Sequence, residues 1–199
     1  MLRIYPKSFR ALNNRCAANN ERGDHDRAIE DCDQAIMLNP RYADAYLNRG
    51  IGHREKGHYE RAVEDLGVAV ELDPLDAIKV NARGVAHFNK GELGRAAPDF
   101  DEAIRLNPNF YPAFSNRGAV RRLRGEYDRA IKDLDEAIRL NPKYAAAFNN
   151  RGMAYAGKRL YDRAIEDLDQ AIRLRPDYAV ALKNREIVRK SRAESERSI

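Results

Sequence analysis

Six of the eight prolines, Pro6, Pro40, Pro74, Pro108, Pro142 and Pro176, stand 34 residues apart, and only Pro98 and Pro112 fall outside the series. A period of that length means that the chain is built from copies of one supersecondary unit. Shifted back by one period, Phe148, Asn150, Arg151, Gly152, Tyr161, Ala164, Asp167, Leu168 and Ala171 fall on Phe114, Asn116, Arg117, Gly118, Tyr127, Ala130, Asp133, Leu134 and Ala137. Units this short cannot bury an apolar face alone and must lean on their neighbours. The 199 residues therefore count repeats rather than one globular core.

Within a unit, Ala130, Ile131, Leu134, Ala137 and Ile138 recur at helical spacing and mark a packing stripe. Gly57, Gly91 and Gly125 sit where the preceding helix ends in a left-handed residue, a conformation open to glycine without steric cost. Arg159 replaces glycine in that column, so its turn is expected to be strained or differently built. Each closing proline disfavours helix for the residue before it and stops the second helix at Asn39, Asp73, Asn107 or Asn141. Pro98, inside a second helix, makes the third unit the expected soft point of the array.

Thirty-six basic and 31 acidic residues give a net charge of +5 in a thoroughly mixed-charge sequence. Strong nucleic-acid binders segregate their cations, which this chain does not. No apolar run is long enough for a membrane span, and Arg3, Lys7, Arg10 and Arg15 interrupt any signal-like core, so the sequence reads as soluble and cytoplasmic. Cys16 and Cys32 occupy facing columns of the first unit and are expected to be reduced thiols packed as small core residues. His25, His53, His58 and His87 are scattered without metal-ligand spacing; no phosphate-binding glycine loop or nucleophile elbow is present. Neither a metal, a cofactor nor an enzymatic activity is expected.

The run Phe148, Arg151-Gly152, Tyr155, Ala164, Leu168, Pro176 resembles the tetratricopeptide repeat, with arginine where that family prefers leucine. The resemblance implies an all-α, right-handed α-solenoid of helix-turn-helix repeats. On that frame residues 1–8 are the remnant of a preceding repeat, and the repeats span 9–42, 43–76, 77–110, 111–144 and 145–178. Residues 179–199 form a capping helix, ending near Arg192, and a frayed tail from Ala193; Glu186 in the glycine column indicates that no partner helix follows.

Two columns stand out. Arg49, Arg83, Arg117 and Arg151 are matched one for one by Asp65, Asp99, Asp133 and Asp167, which reads as a set of structural ion pairs, because a buried guanidinium requires a carboxylate. Asn14, Asn48, Asn116, Asn150 and Asn184, interrupted by Ala82, with Asn81 and Asn149 one position earlier, form an amide strip. Asparagine is a mediocre helix former, and its amide can both donate to and accept from an extended backbone. The column is similar to the amides lining repeat arrays of O-linked N-acetylglucosamine transferases, which implies contacts with peptide main chain. Bonding to a neighbouring repeat is the alternative reading.

Beside the amides the resemblance places Ala17, Ile51, Val85, Ala119 and Met153, an aliphatic lining suited to an extended peptide. Arg54, Arg122 and Lys183 are the cations expected to favour an acidic partner there. The expected function is a non-catalytic scaffold that binds a protein or peptide segment in a concave groove. Two alternatives remain: a substrate-recruiting array of a larger enzyme, and an RNA-binding helical repeat. Nucleic acid is disfavoured as a partner, because the aromatics sit in packing columns; the first repeat's exposed face can support self-association.

Overall fold

The computed structural model describes residues 8–197. The remnant expected over residues 1–8 thus lies outside the description except for Ser8, whose Oγ caps the first helix by accepting from the Ala11 amide. Eleven helices and no strand occur among the described residues: α1 Phe9–Glu21, α2 His25–Leu38, α3 Ala43–Glu55, α4 Tyr59–Leu72, α5 Ala77–Asn89, α6 Leu93–Leu106, α7 Tyr111–Leu123, α8 Tyr127–Leu140, α9 Ala145–Gly157, α10 Tyr161–Leu174 and α11 Ala179–Arg197. They fall into two compact units, one ending at Leu106 and the other starting at Asn107.

In the first unit α1 pairs with α2, α3 with α4 and α5 with α6, and each hairpin stacks on the next through α2 with α3 and α4 with α5. In the second, α7 and α8, then α9 and α10, form hairpins, and α11 covers α10. The odd-numbered helices of each unit also touch one another. Small residues dominate the core of each unit: Ala28, Ala62 and Ala96 are fully buried beside Leu66 and Phe100 in the first, and Ala130 and Ala164 beside Leu134 and Leu168 in the second. Close approach of the paired helices depends on the glycine column, since a Cβ on Gly50 would stand 2.7 Å from Leu66 Cγ and one on Gly84 2.7 Å from Phe100 Cε1.

In the first hairpin that contact is replaced. Cys16 and Cys32 occupy the positions of the glycine and the leucine, and their sulfurs are bonded with the Cα atoms 5.6 Å apart. This corrects the expectation of reduced thiols. The helix separation that suits a glycine against a leucine is also the separation that a disulfide spans.

The turns between paired helices share one geometry. Gly57 has φ of +77°, its amide donates to the Arg54 carbonyl, and the next amide, that of His58, reaches back to the His53 carbonyl, closing α3 in a Schellman-type cap. Arg159 adopts the same turn, with the same two bonds to Ala156 and from Leu160 to Tyr155, at φ of +60°. The turn is thus the ordinary one, strained by a side chain, rather than differently built. Helix α6 runs through Pro98 without interruption. At the C-terminus α11 continues through Ala193 to Arg197, past the predicted end near Arg192, and an Arg192 to Glu196 hydrogen bond supports that last turn.

Candidate functional site

The arginine column is a set of clamps. Nε and Nη2 of Arg49 donate to the two carboxylate oxygens of Asp65, at 2.9 and 2.6 Å; Arg83 with Asp99, Arg117 with Asp133, Arg151 with Asp167 and also Arg15 with Asp31 repeat the arrangement. The fork geometry of guanidinium suits this bidentate contact. Arg49, Arg117 and Arg151 also stack over Tyr46, Phe114 and Phe148, three residues earlier on the same helix, at 5.5 to 5.6 Å from the ring centroids.

The remaining Nη1 of this fork ties repeats together. Arg49 Nη1 reaches Asp33 and Arg151 Nη1 reaches Asp135, each at 2.6 Å in the preceding hairpin, and Arg185 does the same with Asp169 at 2.8 Å. Burial pulls the Arg49 guanidinium toward a lower pKa, but its bonds to Asp65 and Asp33 outweigh burial and hold it above its ordinary value. For Arg151 the bond to Asp167 is the larger influence, and the result is likewise upward. A second set of inter-repeat pairs links Lys56 with Asp26, Lys158 with Asp128 and Arg192 with Asp162. The side chains of these arginines and aspartates are thus engaged with one another.

The amide strip divides. Asn48 donates to Oδ1 of buried Asn13, and Asn184 donates to Oδ1 of buried Asn149, both at 2.9 Å across one repeat boundary. The donors of Asn48 and Asn184 are therefore used within the array, as the alternative reading of the strip anticipated. Asn20 adds a third bond of this kind, from Nδ2 to the carbonyl of Asn48 at 2.7 Å. Asn149 Nδ2 points toward Asn150 Oδ1 at 3.4 Å, which leaves the Asn150 amide nitrogen without a partner among the described residues. Asn14 is exposed on α1, while Asn81 and Asn116 are half-buried on α5 and α7.

The three cations expected beside the strip behave differently. Arg54 is bound to Glu55 through Nε and Nη2, a correction to the expectation that it is available to a partner; the adjacent residue of the helix already supplies its carboxylate. Lys183 is exposed on α11. Arg122, half-buried on α7, has no hydrogen-bond or ion-pair partner for its guanidinium among the described residues, and its Nε is shut off from solvent. Burial holds its pKa below the ordinary arginine value.

In the first unit the same face opens into a cavity of about 490 Å³ lined by Ala17, Asn20, Glu21, Gly23, His25, Asn48, Ile51 and Glu55. Glu21 and Glu55 were missed in the sequence although they stand one period apart, a recurrence that exposes them once the register is known. Buried Lys79 was also missed. It interrupts a column of buried alanines, Ala45, Ala113, Ala147 and Ala181, and is held by Asp44 at 2.8 Å, Asp73 at 3.1 Å and Asp76 at 2.5 Å. His53 and His87 are buried packing residues. Among the described residues no group of three His, Cys, Asp or Glu side chains is placed to hold a metal ion, and no helix is long and apolar enough to cross a membrane.

Helical hairpins stacked on one another within each unit define an all-α helical-repeat protein. The chain belongs to the tetratricopeptide repeat family: sequence profiles described as Tetratricopeptide repeat match residues 9–42, 145–178 and 47–109, and one described as TPR repeat matches 118–158. No curated protein sequence matches the chain. Among solved structures it is similar to YrrB, described as a TPR protein with an unusual peptide-binding site, at 25% identity and a TM-score of 0.64, over 92% of this chain and 94% of that one. It is similar to MamA at 27% identity and a TM-score of 0.67, over 86% and 93% of the two chains. A TPR protein of Thermus thermophilus shares the fold at 20% identity, with a TM-score of 0.79 over 91% and 98%. Repeats of this family are protein-interaction scaffolds.

Proposed function

We propose that the chain is a non-catalytic scaffold that holds an extended segment of a partner protein against the face made by its odd-numbered helices. The observation that carries this reading is the composition of that face in each unit. Half-buried Ile51 and Val85 in the first, half-buried Met153 and exposed Ile187 in the second, stand beside amides, of which Asn150 keeps a free donor. Aliphatic patches take up alternate side chains of an extended segment, and amides satisfy its main chain. The likeness to YrrB, whose description includes a peptide-binding site, supports the same reading.

Affinity for one short segment is modest, because ordering a flexible chain offsets part of the contact energy. The test is capture of partners by the wild type beside an Asn150→Ala, Met153→Glu double variant of unchanged helicity and melting temperature. Partners held by the wild type and lost by the variant support the face as the site. Equal capture by both proteins contradicts it.

A further inference from the structure

The arginines facing the interior of this fold follow a rule. Arg49, Arg83, Arg117, Arg151 and Arg185 each have a carboxylate, and Arg121, next to the exception, has Asp133 at 2.7 Å. Arg122 is the exception: its guanidinium has no anion among the described residues, and its Nε, like that of Arg185, is buried without an acceptor. A desolvated cation with no counter-charge is unfavourable, and an unmet donor adds to the cost. Arg185 offsets its unmet Nε with the carboxylate of Asp169, and Arg122 has no such compensation. Arg122 also lies three periods after Asn20, which lines the cavity of the first unit with Ala17 and Ile51, so the repeat register puts it in the peptide-facing column of the second unit, one turn beyond Ala119.

Resting on the reading of that face as a peptide site, we infer that Arg122 is the receptor for an aspartate or glutamate side chain of the bound segment. A single carboxylate fits the charge available. The fork of one guanidinium meets its two oxygens in parallel, and the neighbouring Arg121 is already engaged by Asp133. A phosphate group, with nearly two charges, would leave one of them unmatched at a lone arginine. The first unit has no equivalent, because Arg54 is held by Glu55 and the cavity there carries Glu21 and Glu55; selection for acidic character therefore resides in the second unit.

The probe is a set of short fluorescein-labelled peptide pools, degenerate in Ala, Leu, Ser and Asn, with a central glutamate, glutamine or phosphoserine, measured by anisotropy on the full chain. The glutamate pool is expected to bind the wild type about tenfold more tightly than the glutamine pool, as a charge-assisted bidentate bond implies. Arg122→Gln abolishes that preference, and Arg122→Lys, which keeps the charge without the fork, retains only part of it. Melting temperature separates this from a structural role: removal of an unpaired, desolvated cation leaves it unchanged or raises it, whereas a fall in both variants overturns the inference. Equal binding of the glutamate and glutamine pools to the wild type overturns the inference and leaves the peptide face standing. Binding of none of the pools overturns both. Tighter binding of the phosphoserine pool than of the glutamate pool overturns the assignment to a carboxylate.

Discussion

Arg83 grips Asp99 of its own hairpin through Nε and Nη2, at 3.1 and 2.7 Å, and among the described residues its only carboxylate in the hairpin before is Glu71, which acts on it through its charge without a hydrogen bond. Arg49, Arg151 and Arg185 each have one, 16 residues upstream. The position that would serve Arg83 is Gly67, in the middle of α4, where a new Cβ meets nothing within 4 Å. The junction between the second and third hairpins therefore lacks the hydrogen-bonded tie that Arg49, Arg151 and Arg185 make at theirs.

Gly67→Asp is expected to restore that tie. It removes a glycine from a helix interior and gives Arg83 Nη1 an anion on a partly exposed surface, together a gain of about 1 kcal/mol. Urea denaturation of the variant beside wild type checks this, and the gain should shrink at high salt. A midpoint at or below that of the wild type counts against the clamp as an inter-repeat element.

Arg159→Gly relieves a side chain held at φ of +60° in a turn whose four counterparts are Gly23, Gly57, Gly91 and Gly125. The left-handed region costs an ordinary residue roughly 1 kcal/mol, partly returned through the greater freedom of glycine in the unfolded chain. A net stabilisation of about 0.5 kcal/mol or more is predicted by thermal melting. No change would mean that the side chain of Arg159 gains elsewhere what its backbone loses.

Reduction of the Cys16 to Cys32 bond opens a loop of sequence separation 16 and is expected to cost the first unit about 3 kcal/mol. Hydrogen exchange in α1 and α2 should accelerate in reductant while α9 and α10 stay protected. A Cys16→Gly, Cys32→Leu variant, which restores the pairing used at Gly50 and Leu66, should be indifferent to reductant.

Lys79 and Asp76 predict a pH signature. Burial by itself would raise the Asp76 carboxyl, but hydrogen bonds from the Lys79 ammonium and the Ile78 amide hold it below the usual carboxylate range; Lys79 in turn lies above its ordinary value despite burial. A depressed carboxyl stabilises above the unfolded pKa, near 4, and that contribution disappears as pH falls through the folded value. A raised lysine stabilises below about pH 10.4 and loses its contribution as pH rises through the folded value. Lys79→Ala, which places the alanine of the other repeats in this column, should cost about 1 kcal/mol at pH 7. The difference should narrow at pH 3. A difference independent of pH would show that Lys79 acts through packing alone.

The hairpins were legible in the sequence because proline and glycine punctuate a helix locally, and both recur at 34 residues. The pairing of Arg117 with Asp133 was legible for a related reason: two columns that repeat together must face each other in every copy. Contacts that depend on a single copy were not. Glu55 captures Arg54 in one repeat only, and Lys79 finds three aspartates that no other repeat places together. The Asn48 to Asn13 bond crosses a repeat boundary, and its existence depends on the stagger between hairpins, which periodicity leaves open. The cysteine pair was legible as facing; whether facing sulfurs bond depends on a separation set by the packing of the helices around them.

The central claim, that the odd-numbered helices present a peptide-holding face, is tested most directly by side-chain methyl NMR of the full chain titrated with the glutamate-centred pool. The account predicts shifts at Ile51, Val85, Met153 and Ile187, with the core methyls of Leu66, Leu134 and Leu168 unmoved. Shifts confined to exposed Met37 and Leu75, which lie away from those columns, or no shift at all, would contradict it.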